Sequence, residues 1–192
     1  MELAALQAQH RLIVRQKITP VVNRYVVHVE EADGAEGEMV AFAEQKRLAL
    51  KEQVTFYTDE SRRQVLAGFK ARNVVDLAGE YDVVDEKEQP IGFFRKDFTA
   101  SLLRSTWHLQ QPGLPTLTGR ERRMLVALLR RFVDSLSWLP YHFDFGVGAH
   151  LAFSVDRRWG VRDRYRVTVH DPRLDRRLVI AMAVALDALQ AR

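Results

Sequence analysis

The 192-residue chain contains no cysteine. A disulfide scaffold, a cysteine-based zinc site, an iron–sulfur cluster and a cysteine nucleophile are therefore excluded. No apolar run approaches the roughly 20 residues that span a bilayer. The opening MELAALQAQH carries an acidic residue and no basic start, unlike a secretory signal. The expectation is a soluble, cytoplasmic protein that meets a membrane only peripherally. Enzyme motifs are also lacking. The sequence holds no Gly-x-Ser-x-Gly, no phosphate-binding glycine-rich loop and no His-Glu-x-x-His, and Gly146-Val147-Gly148 is too short to count. A non-enzyme with no cofactor and no metal is expected. Nucleic-acid binding would need exposed aromatics among the cations. Trp107, Trp138 and Trp159 fit core positions better, so no nucleic-acid partner is expected.

What is present suits one folded domain over residues 1–192. Hydrophobic residues make up 47% and charged residues 28%, enough apolar material for a sizeable core. The net charge of +4 conceals an asymmetry: residues 1–100 hold 14 Lys and Arg against 17 Asp and Glu, and residues 101–192 hold 15 against 8. The basic half suits a polyanion, a membrane surface, or an ordinary solvated surface rich in arginine.

The first 110 residues read as short β-branched and aromatic runs. These are Leu12 to Val14, Tyr25 to Val29, Met39 to Phe42, Val54 to Tyr57, Gln64 to Lys70, Tyr81 to Val84, Ile91 to Phe94 and Ser105 to Leu109. Turn residues such as Asp33-Gly34 and Ala78-Gly79 separate them. Strands at this spacing indicate an antiparallel sandwich or barrel. A weak repeat runs through them: Asn23 to Val29 resembles Gly79 to Asp85, and Arg162 to Val169 echoes both.

Two segments read as helices. Thr118-Gly119-Arg120-Glu121 fits a capping box, with Thr118 as N-cap, opening an amphipathic helix that Pro140 stops near residue 139. Leu125, Leu128, Leu129, Phe132, Val133 and Leu136 share its apolar face, which can pack on the domain or lie on a membrane. The second helix runs from Leu174 to about Gln190, and Leu178 to Leu186 is apolar on every side. Nine residues span roughly 14 Å, too little for a bilayer. In a mostly β chain, the lumen of a barrel would bury such a helix, and Ala181, Ala183 and Ala185 keep it thin.

Antiparallel strands round one hydrophobic C-terminal helix is the plan of the tubby C-terminal-like fold. The sequence resembles the LURP-one-related family within it, which is similar to the phospholipid scramblases. Arg15-Gln16-Lys17, Asn23-Arg24-Tyr25, Phe69-Lys70-Ala71-Arg72, Tyr81-Asp82-Val83, Ile91-Gly92 and Ser105-Thr106-Trp107 carry the resemblance. Asp163-Arg164-Tyr165 through Arg177 and the apolar helix complete it. The resemblance implies a mostly β protein: a closed antiparallel barrel of about twelve strands around the C-terminal helix, with the 118–139 helix inserted. It also implies binding of anionic phospholipid or phosphoinositide head groups, or a protein-interaction or scaffold role without lipid. The scramblases' cysteine-rich segment is absent, and Asp144 to Asp156 is too apolar for their calcium-binding segment.

Candidate head-group residues are Lys46, Arg47, Lys70, Arg72, Arg95 and Lys96, cations near strand ends that could converge at one end of the barrel. His142 and Asp144 would share a strand face, with His150 nearby, which is weak grounds for a metal. Asp187 stands out as a carboxylate late in the apolar helix. It is expected near the barrel mouth or beside an arginine.

Overall fold

Alternation of buried and half-exposed residues sets the inner face of each strand. In the last strand Tyr165, Val167 and Val169 are buried, while Arg164, Arg166 and Thr168 are only partly covered. The computed structural model describes residues 1–18, 22–46, 53–72, 79–97, 106–122, 142–157 and 164–189. A short helix, α1 (Leu3–Gln7), precedes twelve strands. These are β1 (Arg11–Ile18), β2 (Val22–Glu30), β3 (Glu36–Lys46), β4 (Gln53–Tyr57), β5 (Val65–Ala71) and β6 (Glu80–Asp85). They continue as β7 (Pro90–Asp97), β8 (Thr106–Gln110), β9 (Leu117–Glu121), β10 (His142–Val147), β11 (His150–Arg157) and β12 (Arg164–Val169). The helix α2 (Arg176–Ala188) ends the fold. Each strand pairs antiparallel with the next, and β1 pairs with β12 to close the barrel. Closure leaves no open sheet edge.

The inner faces converge on α2. No residue from Leu178 to Leu186 is more than 1% exposed, as a helix apolar on all sides requires. The wall makes room for it at Gly92, where a Cβ would stand 2.8 Å from Leu178 Cδ2 and 2.5 Å from the Gln110 carbonyl oxygen. Gly119 does the same for the ring of Phe145, which would lie 2.2 Å from an added Cβ. Among the described residues, no helix is long and apolar enough to cross a membrane.

The helix begins at what we term the lower end of the barrel and finishes at the upper end. Asp175 caps it by accepting from the Arg177 amide at 2.8 Å, so it starts two residues later than the sequence suggests. Burial pushes the Asp175 carboxyl up, but the Arg177 and Gln7 hydrogen bonds outweigh this and hold it below the usual carboxylate range. The helix α1, which the sequence did not announce, seals this end. Leu6 is buried, the Gln7 amide nitrogen donates to Asp175 at 2.9 Å, and its oxygen accepts from the Arg176 amide at 2.9 Å. Arg176 is wholly buried and donates Nε to the Gln9 carbonyl at 2.6 Å.

One expectation is corrected. Thr118 is not an N-cap: Thr118 to Glu121 lie in β9, paired with β8 on one side and β10 on the other. Leu117, Gly119 and Glu121 face inward and are buried. Two ladders and an inward-facing period of two override a local capping pattern. The remainder of the expected helix, residues 123–139, lies outside the described residues.

Candidate functional site

Odd-numbered strands run from the lower end to the upper, so β3, β5 and β7 all deliver their last residues to the upper end. By strand direction Lys70, Arg72, Arg95 and Lys96 lie toward the upper ends of β5 and β7, and Lys46 ends β3 on the same side. Arg47 lies outside the described residues. The five are not equivalent. Arg72 is held by the protein's own carboxylates, donating Nε to Asp82 at 3.1 and 3.2 Å and Nη1 to Glu80 at 2.6 Å. It also lies 5.3 Å over the Phe93 ring. The Asp82 hydrogen bond raises its already high pKa, so Arg72 acts mainly as a strut. Lys96, paired in register with Trp107, sits 5.8 Å over that indole ring. Lys70 and Arg95 stand exposed on the outer wall. Lys46 ends β3 opposite Val22.

The segments between strands differ in charge. The connections at the lower end, residues 31–35, 58–64, 86–89, 111–116, 148–149 and 170–175, contain eight Asp and Glu against four Lys and Arg. In the sequence, the segments that follow the odd-numbered strands, residues 19–21, 47–52, 72–79, 98–105, 122–141 and 158–163, contain ten Lys and Arg against four Asp and Glu, and most of them lie outside the described residues. The division follows strand direction. Division of the sequence into halves does not reveal it.

Inside the upper end, a polar hub ties α2 to the wall. Tyr25 donates to Asp187 at 3.1 Å, Tyr165 also donates to Asp187, and Gln16 donates its amide to the Tyr25 oxygen at 3.3 Å. Asp187, expected near the barrel mouth or beside an arginine, lies in the last turn of α2 toward the upper end and accepts from two tyrosines. Burial, with the charge and hydrogen bond of Asp187, pushes the Tyr25 phenol far above its ordinary range, so it remains a donor. The repeat located these residues without explaining them. Tyr25, Tyr81 and Tyr165 are its three tyrosines, all buried, on strands that start at this end.

His142 and Asp144 do share the outer face of β10, but His142 Nδ1 meets Asp156 at 2.9 Å and Arg122 donates Nε to Asp144 at 2.8 Å. Arg122 also lies 3.3 Å from Asp156. His150 sits at the far end of β11, opposite Val147. Among the described residues, no three histidine or carboxylate groups gather as a metal site.

A family model described as LURP-one-related matches residues 39–187. The chain belongs to the LURP-one-related family. The match begins in β3 and ends at Asp187, so it includes the strands from 110 to 160 that the sequence resemblance did not reach. In this LURP-one-related barrel, β1 and β2 precede the matched span, yet β1 supplies the closing ladder to β12. No curated protein matches the chain.

Proposed function

We propose that this LURP-one-related barrel is a non-catalytic binding domain that docks on anionic phospholipid head groups through its upper end. The observation that carries the reading is a contrast in charge: the described connections at the lower end are acidic, and the sequence segments that follow the odd-numbered strands are basic. A negative surface attracts the basic segments and repels the acidic connections, so the domain approaches in one orientation. Lys70 and Arg95 are exposed cations toward the upper ends of β5 and β7 with which head-group phosphates would form charge-assisted hydrogen bonds.

Co-sedimentation with phosphatidylcholine vesicles, with and without phosphatidylserine or a phosphoinositide, tests this. Binding is expected only with the anionic lipid, falling as salt rises, and weaker in Lys70→Glu/Arg95→Glu. A second reading, a protein-interaction or scaffold barrel without a lipid role, draws on Arg72, whose charge Glu80 and Asp82 already satisfy. Absence of vesicle binding at every composition would leave that reading standing.

A further inference from the structure

A cleft of about 190 Å³ opens on the outer wall of β1, β2 and β3, away from Lys70 and Arg95. Its exposed lining is mostly polar, over two buried apolar side chains. Val26 and Phe42 point outward by strand alternation, yet they are only 5% and 4% exposed and lie outside the core cluster that fills the lumen. Three cations surround them. Lys17 and Arg24 are cross-strand partners, and Arg62 reaches in from the turn after β4.

This arrangement works against its own stability. Like charges placed directly opposite on neighbouring strands repel, as Lys17 and Arg24 must. Arg62 adds a third positive charge from a backbone with φ of 59°, in the left-handed region that non-glycine residues avoid. One carboxylate organises the group. Glu44 accepts from Arg24 Nε at 2.8 Å on one oxygen and from Arg62 Nη1 at 2.6 Å on the other. It thereby holds two guanidinium groups side by side. Each is about half exposed, at 48% and 53%, so their remaining N–H donors are open to the cleft. Glu60 also lines the cleft and opposes an anion there.

We infer that the Lys17–Arg24–Arg62 cleft is a binding site for a phosphate monoester, with Glu44 as the positioning residue. A phosphate monoester supplies up to two negative charges and three acceptor oxygens. That matches two forked guanidinium groups and one ammonium better than a single carboxylate does. The volume admits a small head of this kind and not a drug-sized ligand. The cleft is not lined by Lys70, Arg72, Arg95 or Lys96, so substitutions at Lys17 and Arg62 separate this inference from the proposed docking on anionic lipid.

The test is calorimetric titration of the full chain with glycerol phosphate, beside co-sedimentation with phosphatidylcholine vesicles containing phosphatidic acid, a lipid phosphate monoester. Saturable binding that weakens with salt is expected. Lys17→Ala and Arg62→Gly should each weaken it by about tenfold, the loss of one charge-assisted contact. Glu60→Gln should tighten it. Arg62→Gly is the decisive variant, because glycine accepts the left-handed backbone and the thermal melt should hold while binding falls. Saturation by glycerol phosphate assigns a soluble ligand. Saturation by phosphatidic acid alone, weakened by Lys17→Ala and Arg62→Gly, assigns a membrane head group in the same cleft. Failure of both ligands to bind, or binding that ignores Lys17→Ala and Arg62→Gly, overturns the inference.

Discussion

Tyr165 on β12 donates its phenolic hydrogen to Asp187 in the last turn of α2, so the strand that leads into the central helix also fastens that helix's far end. Tyr25 on β2 holds the other carboxylate oxygen at 3.1 Å. Residues 22 apart and 162 apart in the chain thus meet on a single side chain. Removing either phenol takes one hydrogen bond from a half-buried carboxylate, at a cost of about 1–3 kcal/mol. Tyr165→Phe and Tyr25→Phe should each lower stability by that order in urea unfolding. Combined with Asp187→Asn, each should cost less than the sum of the single changes, because the three groups act as one network.

The inner wall should be intolerant at Gly119. An added Cβ would stand 2.2 Å from the ring of Phe145, which stacks on Phe153 with centroids 4.3 Å apart. Gly119→Ala should destabilise by about 1–3 kcal/mol through overpacking. Phe145→Leu in the same chain should recover part of that loss. Full additivity of the two changes in thermal unfolding would show that the ring does not set the limit.

The helix itself is the largest single contributor to the core. Burying each of Leu178, Val179, Ile180, Met182, Val184 and Leu186 contributes roughly 1.5–3 kcal/mol, against a domain's net stability of about 5–15 kcal/mol. Truncation before Leu174 should give no cooperative melt. Ala183→Trp should overfill the lumen and fail to fold. A cooperatively melting protein without residues 174–189 would contradict the central-helix packing.

Asp171 gives a defined acid response. Arg173 donates Nε and Nη2 to its carboxylate at 3.0 and 2.7 Å and holds the pKa at about 2, below the ordinary 3.8. The folded value is the lower one, so the stabilisation is fully present above 3.8 and fades as pH falls through about 2. Asp171→Asn should therefore be less stable than the native chain near pH 5. The gap in urea midpoint should close as the pH is lowered toward 2.

At the upper end, Arg72 should matter to the fold more than to any ligand. Its contacts with Asp82 and Glu80 are partly exposed, so Arg72→Ala should cost no more than about 1 kcal/mol. It should reduce vesicle binding less than Lys70→Glu does. A larger loss of binding for Arg72→Ala would mean that its carboxylate partners yield to a ligand.

Much of this protein is legible in its sequence, wherever the pattern of side chains admits a single burial solution. The runs around Val14, Val27, Phe42, Phe69, Val83 and Phe94 alternate or cluster as strands must. The stretch Leu178 to Leu186 has no polar side to offer solvent, so it had to be enclosed. Local pattern failed where two neighbouring ladders competed with it. Thr118 and Glu121 have the spacing of a capped helix, yet β8 and β10 on either side make them strand. The short helix α1 was invisible because five residues carry no periodicity, and it owes its place to Leu6 and Gln7 meeting the far end of the chain. The cations near strand ends could be found by eye. Which of them stay exposed, as Lys70 and Arg95 do, and which are taken up, as Arg72 is by Asp82, depends on neighbours set by register. The sequence by itself determined the strands of the first 110 residues, the enclosed helix and the abundance of arginine. Only the tertiary structure decided that Leu117 to Glu121 is a strand, that Asp187 answers to Tyr25 and Tyr165, and that Arg62 joins Lys17 and Arg24. Each of these rests on contacts between residues far apart in the chain, and closure of the barrel creates them.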